Sequence, residues 1–244
     1  MKRLEIVLAA PPAPDGAPGA GFSPRSGTRA PGPEATAIVL DVLRASTTLT
    51  VALENGAASV IAAGTVSEAL QLRRERPEAL LCGERDGRIV PGFDLGNSPF
   101  EYVRERVAGR TLVFASTNGS QALKLAARAR VRLVAGFVNA AAAIERAGAA
   151  SEVWLIAAGK LGEVALEDLA CAGWIARALS GRGYAAVSRE ARLALAAAPA
   201  DRNAVRALVQ SSQQGRHLRS LGAPYVRDVE RCAELDSIAS VFAV

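Results

Sequence analysis

Short runs of aliphatic and β-branched residues alternate with longer amphipathic stretches along most of the chain. Residues 4–10 predict a first strand, and the later short runs predict strands at 37–41, 58–62, 79–82, 111–114, 131–134 and 152–157. The longer stretches predict helices at 46–55, 65–75, 98–108, 119–130, 139–148 and 164–180. This alternation is typical of an α/β fold in which a mostly parallel sheet carries helices on both faces.

Two segments depart from the alternation. Residues 11–33 are dense in proline and glycine, which predicts a flexible loop between the first two strands. Residues 185–244 are mostly helical in pattern, with helices predicted at 188–198, 201–212 and near 214–221. This C-terminal region forms either a small subdomain or a layer packed on the sheet. We treat residues 1–244 as one domain, because the length fits a single main core.

The charge pattern favours a small acidic ligand. Half of the residues are hydrophobic, which suffices for a substantial core, and the net charge is +5. Only three of the basic residues are lysines, and arginine presents a planar fork of donors suited to phosphate, carboxylate or sulfonate. Aromatic residues make up 5% of the chain and are not interleaved with basic blocks, which argues against a nucleic-acid surface.

Hydropathy and cysteine usage indicate a cytoplasmic protein. No apolar run reaches the ~18 residues that a membrane span requires. The three cysteines are odd in number and widely spaced, which argues against a disulfide framework and favours a reducing compartment. We therefore expect no membrane association, and homo-oligomerisation stays open.

Polar residues follow several predicted strands, where open α/β sheets bind ligands. Asp41 and Arg44 end the second strand, and a hydroxyl cluster at 46–48 begins the next helix. Helix N-termini attract anions because their N–H groups are free. The alternative is an ordinary Ser/Thr cap beside a surface Asp–Arg pair.

A long loop follows the strand at 79–82. It contains Glu84, Arg85, Asp94, Asn97 and Ser98, and loops of this length usually serve function. The sequence Ser-Pro-Phe-Glu at 98–101 predicts a capped helix start.

Two further groups follow later strands. Thr117, Asn118 and Gly119 form a second candidate anion cradle, for which the alternative is a common Asn-Gly turn. Glu167 and Asp168 begin the helix at 164–180, and with Asp41 they could supply the oxygen ligands that Mg²⁺ prefers. The alternative for these two carboxylates is a solvated helix start.

Several chemistries are excluded or disfavoured. A single histidine, His217, excludes a multi-histidine zinc centre, and we assign it to the surface or to packing. Cys82 and Arg88 have the spacing of cysteine phosphatases, but Glu84 and Asp86 would place negative charge at the phosphate cradle. No Walker loop, dinucleotide fingerprint or Gly-x-Ser-x-Gly elbow is present.

Six segments together resemble the 2-phosphosulfolactate phosphatase family, in order and spacing, over about residues 37 to 180. They are DVLRASTT at 41–48, GER at 83–85, GFDLGNSP at 92–99, STNGS at 116–120, FVNA at 137–140 and ALEDLACAG at 165–173. The resemblance implies an α/β phosphatase that uses Mg²⁺ to hydrolyse 2-phosphosulfolactate to sulfolactate and phosphate, a step in coenzyme M biosynthesis. The long segment at 11–33 is the main departure from the family.

The resemblance leads to a hypothesis for each site residue. Metal ligands are Asp41, Glu167 and Asp168, and the catalytic group comprises Asp41, Glu84, Asp94 and Asp168, with Glu84 or Asp94 as the acid–base group. The substrate-binding residues are Arg44, Arg85, Asn97, Ser98, Thr117, Asn118 and Gly119. A covalent route through Asp41 or Cys171 stays open. The alternatives for function are a phosphatase of another phosphorylated hydroxy acid and a non-catalytic, anion-binding regulatory protein.

Overall fold

The structure is a computed structural model that describes residues 2–9, 29–160, 163–186 and 188–244. The strands are β1 (Lys2–Leu8), β2 (Thr36–Leu40), β3 (Ser59–Ala62), β4 (Leu80–Arg85), β5 (Arg88–Ile89), β6 (Thr111–Ala115), β7 (Val131–Ala135), β8 (Glu152–Ala157), β9 (Tyr184–Ala186) and β10 (Phe242–Ala243). The helices are α1 (Ala45–Glu54), α2 (Val66–Glu75), α3 (Arg104–Val107), α4 (Gly119–Ala126), α5 (Ala140–Ala147), α6 (Leu166–Ser180), α7 (Arg189–Ala197), α8 (Arg202–Ser211), α9 (Gln213–Ser220) and α10 (Ala223–Cys232).

The mixed α/β fold is confirmed, but its strands form two sheets where the sequence predicted one. The larger sheet has the order β10-β7-β2-β8-β1-β9, and the smaller has the order β3-β6-β4-β5. All neighbouring strands are parallel except the short edge strands β10 and β5. A hydrophobic pattern reports which residues are buried and not which strands pair, so it could not reveal the division.

Helices cover both faces of each sheet. On β2, Ile38 faces a core shared with α5, α6 and α7, whereas Val39 faces α1, α4 and the inner side of the smaller sheet. The outer face of the smaller sheet packs on α2 through Leu81 and Val113. Helices α1 and α4 therefore lie between the two sheets, with their N-termini at the carboxyl ends of the strands.

The C-terminal helices belong to the same core as the larger sheet. Val205, Val209, Leu218 and Val229 are fully buried in the cluster that contains Ile38. The region 185–244 is thus mostly helical, as predicted, and it packs as a layer on the sheet. Its last helix, α10, and the short strands β5, β9 and β10 were not predicted.

The helix predicted at 98–108 is interrupted at Tyr102. A 3-10 turn spans Pro99–Glu101, and the α-helix starts only at Arg104. The Tyr102 carbonyl accepts a hydrogen bond from Asn55 Nδ2 at 2.8 Å, which diverts a group that a continuous helix would use internally. The predicted start at Pro99 is correct, but the Ser98 hydroxyl makes no cap bond.

Two other predictions concern disulfide bonds and membrane-spanning helices. Cys82, Cys171 and Cys232 are free and buried, as expected for a chain without a disulfide framework. Within the described ranges, no helix combines the length and apolarity needed to cross a bilayer.

Most of the loop predicted at 11–33 lies outside the described residues, but Arg29 is firmly anchored. Glu5 is fully buried in β1, and Arg29 donates to both of its carboxylate oxygens, at 3.0 and 2.6 Å. Arg29 also lies 5.7 Å from the Trp154 ring centroid. This end of the segment therefore supports the sheet and does not behave as a free loop.

We expect Arg29→Ala to lower the free energy of unfolding by about 1–3 kcal/mol, because it leaves a buried carboxylate with fewer partners. Chemical denaturation would measure the change. Arg130→Ala is the matched control, since Arg130 pairs with Glu34 at 3.8 Å with both side chains exposed, and such pairs contribute little. Equal stabilities for the two variants would contradict the anchoring role.

Candidate active site

A cleft opens where the carboxyl ends of the two sheets meet. Its lining residues are Asp41, Leu43, Arg44, Glu84, Asp86, Gly87, Asn97, Thr117, Asn118, Lys160, Gln214 and His217. Six predicted site residues therefore come together, although they are spread over almost 80 positions of the chain: Asp41, Arg44, Glu84, Asn97, Thr117 and Asn118.

Asp41 occupies the turn between β2 and α1. Its Oδ1 accepts from the Ala45 N–H at 3.2 Å, and its own N–H donates to Ser46 Oγ at 2.9 Å. Burial is the main cause that raises the pKa of Asp41 to about 7; the nearby Glu84 and Glu167 carboxylates contribute to this rise, while the Ala45 N–H and Arg44 oppose it. The side chain can therefore change its protonation state near neutral pH.

Gly119 allows helix α4 to begin directly beside Asp41. A Cβ at this position would lie 2.7 Å from Asp41 Oδ2 and 2.7 Å from Ala45 Cβ, so only glycine leaves the space. Gly119 does not line the cleft itself, but Thr117 and Asn118 before it do. The N-terminus of α4, which favours anions, is thereby held at the cleft.

Glu84 joins the two loops of the smaller sheet. Its Oε1 accepts from the Thr117 N–H at 2.9 Å, and its Oε2 accepts from the Gly87 N–H at 2.7 Å. The carboxylate lies in the cleft, where we predicted it, and also holds the cleft walls together.

Arg44 is fixed by a residue that the sequence did not indicate. Its guanidinium donates to Asp228 Oδ2 at 2.5 Å and to the Gly87 carbonyl at 2.6 Å, and it lies 5.2 Å from the Tyr225 ring centroid. Asp228 also accepts from Ser98 Oγ at 2.6 Å. Arg44 and Asp228 are 3% and 1% exposed, so the arginine charge is offset inside the protein.

Asn97 lines the cleft and has a buried, unsatisfied oxygen. Its side chain is 5% exposed, and within the part of the chain that the structure describes, Oδ1 accepts no hydrogen bond. Buried polar atoms of this kind are rare, because each lost hydrogen bond costs free energy. The position calls for a donor or a cation brought by a ligand.

The three predicted metal ligands do not form one ligand set. Both Asp168 oxygens accept backbone N–H groups, from Val42 at 2.8 Å and from Gly159 at 3.0 Å. Glu167 lines a neighbouring cleft, near Ser212. Burial raises the pKa of both carboxyls, and Asp41 raises that of Asp168 further. Across the described ranges, no group of three His, Cys, Asp or Glu side chains is arranged to hold a metal ion.

Three other predicted residues lie outside the cleft lining. Asp94 Oδ2 accepts from Arg73 Nη1 and from the Leu81 N–H, both at 2.8 Å, and so attaches its loop to β4 and α2. Arg85 donates to the carbonyls of Glu84 and Ala115, and Ser98 is bound to Asp228. These contacts indicate structural roles for the three side chains. We therefore assign Asp94 no role in catalysis.

Cys171 is a poor candidate nucleophile. It is fully buried in α6, and burial raises the pKa of its thiol well above the usual value, with Asp168 and Asp236 adding to the effect. A protonated, inaccessible thiol packs as a small hydrophobic side chain.

One wall of the cleft was missed at the sequence level. Lys160 follows β8, and its Nζ donates to Gln214 Oε1, while Gln214 and His217 belong to α9. Lys160 stands at a strand end, so the rule that found Asp41 also points to it. His217 carries no such local signal: the sequence assigned it to the surface or to packing, and the structure places it in the cleft lining.

A family model described as 2-phosphosulpholactate phosphatase matches residues 24–244. The chain belongs to the 2-phosphosulfolactate phosphatase family. Among its relatives are three proteins described as probable 2-phosphosulfolactate phosphatases. The Deinococcus radiodurans protein is 42% identical over 204 residues, the Synechococcus sp. (strain JA-3-3Ab) protein 38% over 211, and the Thermotoga petrophila protein 36% over 206. These alignments cover 82%, 85% and 84% of this chain and 84%, 87% and 87% of the relatives.

The cleft lining carries more acidic than basic side chains. Asp41, Glu84 and Asp86 bring carboxyl groups, whereas the positive charge of Arg44 is offset by Asp228. Lys160 alone does not compensate this acidity for an anionic ester, since like charges at short range repel strongly in a partly buried site. A cation would restore the balance.

Proposed function

We propose that the protein is a Mg²⁺-dependent phosphatase that hydrolyses 2-phosphosulfolactate to sulfolactate and phosphate, in a cytoplasmic pathway of coenzyme M biosynthesis. The observation that carries the proposal is the convergence of Asp41, Arg44, Asn97 and the α4 N-terminus on one cleft. Membership of the family and the descriptions of its relatives support the choice of substrate.

The cleft fits Mg²⁺ through fewer protein ligands than the sequence suggested. Mg²⁺ is usually held by one or two carboxylates together with water and substrate oxygens. Asp41 supplies a carboxylate, and Asn97 Oδ1 is an available buried oxygen in the same cleft. When bound there, the cation would neutralise charge on the ester and make a water molecule a better nucleophile at neutral pH.

The protein's own groups bind and orient the ester. The N-terminus of α4, with Thr117 and Asn118, offers donors to phosphoryl oxygens. Arg44 uses two N–H groups to contact Asp228 and Gly87, which fixes its orientation and leaves further donors on a guanidinium that lines the cleft. Such preorganised donors stabilise charge that develops during reaction without further rearrangement.

Glu84 is our candidate for proton transfer. Of the two residues that we predicted for this role, it alone lines the cleft, and its carboxylate could accept a proton from the attacking water. Its bonds to the Thr117 and Gly87 N–H groups hold it in a constant position.

A substrate panel tests the proposed function. We expect purified protein to release phosphate from 2-phosphosulfolactate with a higher kcat/KM than from 2-phospholactate, 2-phosphoglycerate or phosphoglycolate. Chelation of divalent cations should abolish release, and added Mg²⁺ should restore it, because the acidic cleft cannot hold the ester without a cation.

Each other result of the panel has a definite meaning. Full activity after chelation would overturn the role of Mg²⁺. A higher kcat/KM for another ester would favour a phosphatase of a different hydroxy acid. Binding of the esters without phosphate release would favour the anion-binding regulatory alternative.

A further inference from the structure

The cleft has two walls that differ in origin and in chemistry. The first wall is formed by residues at the strand ends, among them Asp41, Asn97 and Asn118. The second, which we call the α9 wall, consists of Lys160, Gln214 and His217. The first wall contains the helix N-terminus and the carboxylate to which the proposed function assigns the phosphate, which leaves the α9 wall for the remainder of the ester.

The His217 side chain can donate a hydrogen bond to a ligand from the α9 wall. Lys160, the other basic residue of this wall, already donates to Gln214. Over the ranges that the structure describes, the His217 imidazole has no hydrogen-bond or ion-pair partner, although it lines the cleft and is only half-buried. An imidazole carries at least one N–H donor in either protonation state, so it suits an acidic group of a ligand.

Packing holds the helix that carries His217 in place. Ser212 caps α9 by accepting from the Gly215 N–H at 3.0 Å, and Leu218, next to His217, is fully buried in the core. The helix also packs closely on the turn after β4, because a Cβ at Gly87 would lie 3.1 Å from Leu218 Cδ2 and 3.3 Å from Leu221 Cδ1. A donor on a fixed helix loses little conformational entropy when it binds a ligand.

We propose that His217 determines specificity by donating a hydrogen bond to the acidic group on the alcohol portion of the substrate, its carboxylate or sulfonate. This inference rests on the proposed function, in which the phosphate occupies the opposite wall. It separates recognition of the alcohol portion from recognition of the phosphate. A residue of the C-terminal helical layer thereby completes a site that is otherwise built from strand ends.

The test compares binding of the two products in the presence of Mg²⁺. For His217→Ala, we expect the Kd of sulfolactate, measured by calorimetry, to rise by about 10- to 100-fold, the usual range for a lost hydrogen bond to a charged group. The Kd of inorganic phosphate should stay the same. In kinetics with 2-phosphosulfolactate, KM should rise in the same proportion while kcat changes little.

Two further variants serve as controls. Arg219→Ala removes a basic, exposed side chain from the same helix outside the cleft lining, and it should leave both Kd values unchanged. His217→Gln retains an N–H donor and should recover part of the sulfolactate affinity. Thermal melting of His217→Ala should match the wild type, because the side chain is not part of the core.

The possible outcomes separate this inference from the proposed function. Equal weakening of sulfolactate and phosphate binding, or an unchanged sulfolactate Kd, would overturn the role of His217. If the wild-type protein hydrolyses no 2-phospho hydroxy acid, the proposed function is overturned. In that case, selective loss of sulfolactate affinity in His217→Ala would still support a subsite for acidic groups at the α9 wall.

Discussion

Asp41→Asn is expected to lower kcat/KM for 2-phosphosulfolactate by about 10²- to 10⁴-fold, which corresponds to the several kcal/mol of transition-state charge stabilisation that a bound cation supplies. The substitution keeps the shape of the side chain and the hydrogen bond from the Ala45 N–H, but it removes the charge that we propose holds the cation. Phosphate release at saturating Mg²⁺ measures the effect, and unchanged activity would remove Asp41 from the site.

The same variant should be more stable than the wild type in metal-free buffer at high pH. The pKa of Asp41 rises from 3.8 to about 7 on folding, so the native state keeps a proton that the unfolded chain has already released. The contribution of Asp41 to the free energy of unfolding therefore decreases as the pH rises from about 4 to 7. The Asp41→Asn variant has no carboxyl group at this position, so its free energy of unfolding would not show this decrease. Denaturation at pH 8 and pH 4 measures the difference, which should be large at pH 8 and small at pH 4. Lower stability of the variant at pH 8 would show that loss of activity reflects loss of fold.

Asp228→Ala is expected to lower the free energy of unfolding by about 3–5 kcal/mol, because it leaves the buried Arg44 guanidinium without its counter-charge. It also removes the acceptor for Ser98 Oγ and frees Arg44 to move, so KM for the ester should rise as well. Chemical denaturation and steady-state kinetics measure the two effects.

Glu145→Ala is the matched control for the buried pair. Glu145 contacts Arg182 at 2.7 Å, with side chains 77% and 41% exposed, and a surface pair of this kind contributes only about 0–1 kcal/mol. A loss in Asp228→Ala no larger than in this control would mean that the buried pair does not stabilise the site. The conservative Asp228→Asn should lie between the control and Asp228→Ala, because it keeps the side chain's shape while losing its charge.

The sequence predicted the positions of helices and strands correctly where burial alone decides secondary structure. β2 and β8 were located within a residue, because buried parallel strands show as continuous aliphatic runs bounded by polar residues. The helix predicted at 98–108 failed because the Tyr102 carbonyl bonds to Asn55, a residue 47 positions earlier. No local pattern contains such a contact.

The candidate site was likewise predictable where position along a strand decides, and unpredictable where tertiary contacts decide. Asp41, Arg44, Glu84, Thr117 and Asn118 line one cleft, as expected, because residues after parallel strands converge at one edge of a sheet, whatever the strand order. Asp94 was assigned to the site by the same reasoning, but its loop turns away from the cleft and pairs with Arg73 on the side of α2. The direction of a long loop depends on its tertiary contacts and not on its composition.

The alternation of strands and helices, the polar strand ends and the family resemblance were determined by the amino-acid sequence, because each is a property of neighbouring residues. Only the tertiary structure decided that two sheets meet at one cleft, that Asp228 compensates Arg44, and that His217 reaches the cleft from α9. These features join residues as far apart as 184 positions, and their positions depend on the packing of whole layers, which local patterns do not encode.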